Sequence, residues 1–136
     1  MRSDDLQFAN GMVITADAST LLVAESFGQC ITAFDLADDG SLSNRRVWAQ
    51  LEDFPDGIAI DADDAVWVAS PAFDRVVRVV AGGEVTAMVD TPGRHAIACA
   101  LGGADGHTLF ILTSTSVGQR APSQPARSAA VETVRV

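Results

Sequence analysis

An internal repeat is the feature that most constrains how this chain can fold. The segment NGMVITADASTLLVAES (residues 10–26) aligns with DGIAIDADDAVWVAS (residues 56–70), an offset of 46 residues at its start, and ACALGGADGHTLFILTS (residues 98–114) is a third copy. A period of about 40 to 50 residues that holds four short strands is typical of a β-propeller blade. A β-sandwich remains the alternative.

Short β-branched runs, with almost no helical periodicity, support this interpretation. Each has the length of a strand and is bounded by Gly, Asp, Ser or Pro. The runs are residues 12–15, 21–24, 30–35, 46–49, 58–61, 66–69, 76–80 and 85–89, with further strands near Cys99, Leu109 and Val131. They predict one partial propeller domain over residues 1–136, with blades at approximately residues 8–51, 54–90 and 95–136.

The third predicted blade lacks a fourth strand. Its segment SVGQRAPSQPARS (residues 116–128) is rich in Pro, Gly, Ser and Gln and predicts a long surface loop. Because closed propellers have typically four to eight blades, about three blades cannot close a ring. We therefore expect part of a molecule, completed by a missing N-terminal half or by a second copy of the chain.

Composition excludes several classes of function. The 136 residues carry a formal net charge of -9 and 48% hydrophobic residues, so the chain is globular and would repel nucleic acid and anionic membranes. No apolar run has the length of a signal peptide or a spanning helix, which predicts a cytoplasmic protein. Cys30 and Cys99 lie in predicted strands without metal-ligand spacing and are expected to be free thiols.

The dipeptides Asn10-Gly11 and Asp56-Gly57 begin the first two repeats. By themselves, Asn-Gly and Asp-Gly are typical hairpin turns. The repeat alignment places the hairpins later, near Asp17 and Asp63, so that Asn10 and Asp56 stand at the mouths of equivalent strands. The third repeat has Ala98 at this position, so any site they form is not symmetric.

Four segments together resemble a known family: NGM with VAES, AFDLADDGSLSNRRVWA (residues 33–49), PDGIAIDADDAVWVA (residues 55–69) and LGGADGHTLF (residues 101–110). The chain resembles the C-terminal half of the gluconolactonase and senescence-marker-protein-30 family, also called regucalcin-like. The resemblance implies a partial six-bladed propeller and a metal-dependent hydrolase of sugar-acid lactones. It also implies that Asn10 and Asp56 are metal ligands.

A third ligand of the family, a Glu near its N-terminus, has no counterpart in this sequence. The implied ion is one divalent metal, Ca²⁺ or Zn²⁺, with Mn²⁺ and Mg²⁺ as further options; amide and carboxylate oxygens suit such hard cations. Asp56 is the expected catalytic residue, accepting a proton from the attacking water. Whether this chain is an enzyme by itself stays open, and a non-catalytic propeller fragment that binds a metal or a small molecule is the alternative.

Further expectations concern other individual side chains. Glu25, at the end of the second strand, is weighed as a replacement ligand and disfavoured, and His95 is a minor candidate for the pocket. Ser26 and Ser70 are expected to be loop-capping hydroxyls. The large aromatic residues are expected in the core: Phe27, Phe34, Trp48, Phe54, Trp67 and Phe110.

Overall fold

The computed structural model describes residues 5–116 and 128–136. These residues form an all-β structure of eleven strands and one short 3₁₀ helix, Pro71–Phe73. The strands are β1 (Ala9–Ile14), β2 (Thr20–Glu25), β3 (Cys30–Leu36), β4 (Leu42–Gln50), β5 (Ile58–Ile60), β6 (Val66–Ser70), β7 (Arg75–Val79), β8 (Val85–Asp90), β9 (His95–Gly102), β10 (Thr108–Ser114) and β11 (Ala129–Arg135). Every predicted strand is present.

The strands form three antiparallel sheets in which neighbours along the chain are neighbours in space. The first sheet has the order β1-β2-β3-β4 and the second the order β5-β6-β7-β8. In the described residues the third sheet has three strands, in the order β11-β10-β9. The predicted loop over residues 116–128 lies almost entirely outside the described residues.

The two predicted hairpins near Asp17 and Asp63 are confirmed. In the first, the backbone N–H of Thr15 donates to the carbonyl of Thr20 at 3.0 Å, and in the second, Asp61 donates to Ala65 at 2.9 Å. The Asp17 carboxylate accepts from the backbone N–H of Ser19, as expected of an aspartate that stabilises a turn. The Asn-Gly and Asp-Gly dipeptides are therefore not the hairpin turns.

Two apolar clusters join the sheets face to face. The cluster between the first and second sheets contains Leu22, Ile31, Val66, Val68 and Val79. The cluster between the second and third sheets contains Trp67, Val76, Leu109 and Ile111. Because strand residues alternate between faces, β2 supplies Leu22 to one face and Val23 to the other, and both side chains are buried.

The expectation that the large aromatic residues are all in the core was wrong for three of them. Phe34 and Trp67 are each 3% exposed, whereas Phe27 is 66%, Phe54 47% and Phe110 38% exposed. Phe27 follows β2 and Phe54 precedes β5, so both lie beyond the region where one sheet packs on the next. Phe110 lies on the face of β10 opposite to the buried Leu109 and Ile111.

Both cysteines are free thiols, as predicted. Burial raises the pKa of the Cys99 thiol to about 12, and its Sγ donates to the carbonyl of Trp67 at 3.3 Å. Cys99 is therefore an unreactive packing residue between the second and third sheets. No helix in residues 5–116 and 128–136 has the length and apolar character needed to cross a lipid bilayer.

The packing between the sheets makes a matched prediction for two paired valines. Val79 is fully buried and Val85, its register partner on β8, is 54% exposed. We expect Val79→Ala to lower the free energy of unfolding by about 2 kcal/mol, since two buried carbon groups and their cavity are lost. Val85→Ala should change it by less than about 0.5 kcal/mol. Urea unfolding measures both, and equal losses would contradict this account of the core.

Candidate functional site

The first strands of the three sheets meet through backbone contacts at Gly11 and Gly57. Gly11 N–H donates to the carbonyl of Asp56 at 3.2 Å, and Gly57 N–H donates to the carbonyl of Ile97 at 2.9 Å. A Cβ atom on Gly11 would lie 2.6 Å from the backbone N of Ile58, and one on Gly57 would lie 2.6 Å from Cβ of Ala98. Both glycines therefore allow neighbouring strands to approach closely, since a residue with a Cβ atom would collide at these positions.

This approach brings the side chains of Asn10 and Asp56 together. The Asn10 side chain lies near enough to the Asp56 carboxylate to lower the pKa of Asp56. Asn10 Nδ2 donates to Oγ of Ser26 at 3.4 Å, and Ser26 Oγ donates to the carbonyl of Pro55 at 2.6 Å. Asn10 and Asp56 are thus neighbours at one end of the first and second sheets.

Ser26 was predicted only as a capping hydroxyl, but it links the two predicted ligands. It is 7% exposed, and its hydroxyl spans the distance from the Asn10 amide to the residue before Asp56. Ser70 and Ser114 end the second strands of the other two sheets and are also buried. A serine at or just after the end of the second strand in all three repeats was the available sequence signal for a structural role.

Asp56 is an electrostatically unusual carboxylate. Burial raises its pKa, and the nearby Asn10 side chain offsets only part of this shift. Elsewhere, arginines pair with buried or half-exposed carboxylates, as in Arg78–Asp61 (2.6 Å) and Arg46–Asp35 (2.6 Å). Within the described part of the chain no basic side chain forms an ion pair with Asp56. Such a desolvated carboxylate without a counter-charge is suited to a cation from solution.

The chemistry of the pair fits a hard divalent cation, but as an incomplete site. The Asn10 nitrogen donates to Ser26, which leaves the amide oxygen to act as a ligand together with the Asp56 carboxylate. Residues 5–116 and 128–136 contain no group of three His, Cys, Asp or Glu side chains placed to hold a metal. Further ligands would have to be water, substrate or groups from outside these residues.

Glu25 belongs to a separate cluster on the first sheet. Its side chain is almost completely buried and accepts hydrogen bonds from the backbone N–H of Gln7 at 2.6 Å, from the Thr32 hydroxyl and from Arg45 at 3.1 Å. Burial would raise the pKa of Glu25, but these three donors together hold it below the usual value. A carboxylate that is saturated by protein donors is a poor replacement ligand.

His95 is held by residues that follow β6. Its Nδ1 is 2.8 Å from the carbonyl of Pro71 and 2.9 Å from Oδ1 of Asp74. The imidazole therefore connects the start of β9 to the turn after β6. No sequence pattern indicates this contact, because it depends on how the second and third sheets pack.

Comparison with known proteins identifies the family. The model of the SMP-30/Gluconolactonase/LRE-like region matches residues 1–115. The chain belongs to the SMP-30/gluconolactonase family. Regucalcin of Danio rerio is 32% identical over 123 residues, covering 87% of this chain and 41% of the relative, and regucalcin of Homo sapiens is 29% identical over 113 residues, covering 79% and 38%.

Solved structures agree with this assignment. A gluconolactonase from Xanthomonas campestris is 32% identical, with a TM-score of 0.69 over 81% of this chain and 36% of its own. A luciferin-regenerating enzyme has a TM-score of 0.83 at 20% identity over 100% of this chain and 47% of its own, which shows a shared fold. This SMP-30/gluconolactonase chain thus spans about two fifths of the length of its curated relatives.

The raised pKa of Asp56 predicts that ionisation of this residue lowers the stability of the fold as pH rises. The folded state binds this proton more tightly than the unfolded state, so stability is lost as pH rises from the unfolded pKa of Asp56 through its folded pKa. Asp56→Asn should therefore raise the melting temperature at neutral pH without metal. The gain should fade as pH falls through the folded pKa and be absent below the unfolded value of about 3.9.

Thermal scans across this pH range provide the measurement, and Asp38→Asn is the matched control because Asp38 is exposed in the turn between β3 and β4. A destabilised Asp56→Asn protein at neutral pH would show that the carboxylate has a structural partner, in conflict with the site described above.

Proposed function

We propose that this chain carries part of a divalent-cation site that hydrolyses lactones of sugar acids. The observation that carries the proposal is the half-buried Asp56 carboxylate, which lies beside Asn10 and has no cationic partner in the described residues. The family and the 32% identity with a gluconolactonase support the reaction class. Ca²⁺ is the favoured ion, since one structural relative is described as a calcium-binding regucalcin.

The proposal includes the architecture around the site. We take the three sheets as consecutive blades of a six-bladed propeller, approximately residues 8–51, 54–90 and 95–136, whose first strands line a central channel. The contacts of β1 with β5 and of β5 with β9 support this arrangement, because first strands of neighbouring blades lie side by side around the axis. Asn10 and Asp56 would then face the channel from successive blades.

In this mechanism Asn10 and Asp56 would hold the cation through an amide and a carboxylate oxygen. The bound ion would polarise the lactone carbonyl and stabilise its developing negative charge. The second oxygen of Asp56 accepts a proton from the attacking water, whose oxygen bonds to the carbonyl carbon. The ring C–O bond then breaks, and the leaving oxygen takes up a proton to give the open hydroxy acid.

Ser26 has a positioning role in this proposal. Its hydroxyl accepts a hydrogen bond from Asn10 Nδ2 and donates one to the carbonyl of Pro55. With the nitrogen held in this way, the amide oxygen would be turned toward the shared site. Side chains that orient metal ligands in this way typically contribute tenfold to hundredfold in metal affinity.

A binding module without catalysis is the second candidate. It is favoured by the observation that the described residues place one carboxylate, and no cluster of three acidic, histidine or cysteine side chains, at the site. Both candidates require Asn10 and Asp56 to bind a cation. They differ in whether lactone hydrolysis accompanies binding.

Removal of the Asp56 charge tests the proposal directly. We expect Asp56→Asn to abolish calorimetric binding of Ca²⁺, Zn²⁺, Mn²⁺ and Mg²⁺ and to reduce gluconolactone hydrolysis, followed by acid release, to the uncatalysed rate. Asp38→Asn makes the same chemical change at an exposed turn and should leave both properties unchanged. Metal binding by the wild type without hydrolysis would select the binding module, and unaltered binding by Asp56→Asn would refute the assigned ligand.

The role of Ser26 gives a graded prediction. We expect Ser26→Ala to weaken Ca²⁺ binding by roughly tenfold or more, with the same metal preference, because both ligands remain but the amide is no longer held. Ser70→Ala removes the equivalent hydroxyl from the second sheet and is the control. Similar affinities for the two variants in Ca²⁺ titrations would argue against the positioning role.

A further inference from the structure

A cavity lies between the first and second sheets, apart from the candidate cation site. Its volume is about 360 Å³, in the range of small-molecule sites. The lining residues come from the end of β4, from the segment after it, and from β6, β7 and β8 with the turn between the last two. Asn10, Ser26 and Asp56 are not among them. Both flanking sheets have four strands, so the walls of the cavity lie entirely within the described residues.

Backbone contacts hold the two walls of the cavity in place. The N–H of Gly82, in the turn between β7 and β8, donates to the carbonyl of Trp48 on β4 at 2.9 Å. Gly83 packs so closely on the same strand that a Cβ atom there would lie 2.7 Å from the carbonyl oxygen of Gln50. The cavity is therefore bounded by fixed backbone, as a preformed ligand site is.

One part of the cavity wall is aliphatic. Four branched side chains line it, namely Leu51, Val68, Val77 and Val85. Such a wall offers no hydrogen bond and would gain from covering a branched apolar group.

Two polar side chains of opposite charge also line the cavity. Asp53 is 5% exposed; its Oδ1 accepts from the N–H of Phe54 at 2.6 Å, but its Oδ2 is buried without a hydrogen-bond partner. Arg75 Nε is likewise buried and unpartnered, while its guanidinium packs on the Phe73 ring and Nη1 donates to Sδ of Met88 at 3.6 Å. Buried polar groups are nearly always paired, so these two atoms lack partners that the described part of the chain does not supply.

We propose that this cavity binds an α-amino acid with a branched aliphatic side chain, such as leucine. Its ammonium group would donate to Asp53, its carboxylate would accept from Arg75 Nε, and its side chain would cover the aliphatic wall. A zwitterion supplies both missing partners, whereas a simple cation or anion satisfies one and leaves the other unpaired. The exposed Glu52 also lines the cavity, and its negative charge favours a ligand that carries an ammonium group.

Calorimetric titration with L-leucine tests the proposal on the unaltered chain. We expect one leucine to bind per chain. Two matched ligands each lack one charged group: 4-methylpentanoate has no ammonium group, and 3-methylbutylamine has no carboxylate. Each should bind roughly tenfold or more weakly than leucine, because one buried polar group stays unpaired. Glycine keeps both charges without the aliphatic side chain and should also bind more weakly.

Substitutions identify the two polar contacts. Asp53→Asn removes the charge at nearly constant shape, and Arg75→Met removes the guanidinium but keeps an unbranched side chain. Each should weaken leucine binding roughly tenfold or more. Asp38→Asn and Arg46→Met make the same changes at exposed positions and should leave binding unchanged. Circular dichroism checks that all four variants retain their strands.

Several results would overturn the proposal. These are the absence of leucine binding, equal affinity for leucine and either singly charged ligand, and unchanged binding by folded variants at Asp53 and Arg75. Asp56→Asn should keep its affinity for leucine, because Asp56 does not line the cavity. The amino-acid site and the proposed cation site therefore stand or fail independently.

Discussion

The close approach of the first strands is the constraint on which the rest of the structure depends. Gly11 and Gly57 allow backbone hydrogen bonds between segments that begin successive sheets, at separations where any Cβ atom would collide. The residue before each glycine is therefore held close to the neighbouring sheet. The Asn-Gly and Asp-Gly dipeptides combine a glycine required by packing with a polar side chain beside it, which explains why the pattern occurs at strand mouths and not in hairpins.

The sequence was informative where a local pattern repeats. The period of about 46 residues and the short β-branched runs were enough to predict the strands and the hairpins, and the family resemblance added the proximity of Asn10 to Asp56. It was uninformative about contacts that depend on how one strand faces another. Glu25 is satisfied by Arg45, twenty positions away on a different strand, and no spacing rule identifies that pair.

The exposed aromatic residues show a second limit of the same kind. Hydrophobicity alone placed Phe27 and Phe54 in the core, yet both lie beyond the ends of the strands, where no neighbouring sheet reaches them. Which side chains are buried depends on how far the contact between neighbouring sheets extends. The repeat predicts the sheets but not the extent of that contact. Ser26 was underestimated for a related reason, since its importance comes from joining two repeats.

Asp56 also shows how the fold distributes its charges. The chain carries twice as many acidic as basic side chains, 18 against 9, so arginines are limited in number. Several of them neutralise carboxylates that support strands, such as Asp61 through Arg78. Asp56, which precedes the first strand of the second sheet, has no such arginine among the described residues. Its half-buried charge lies beside Asn10, whose amide is hydrogen-bonded to Ser26. In the third repeat, Ala98 places a methyl group beside Gly57. The close strand contact is kept, but this position carries no polar side chain.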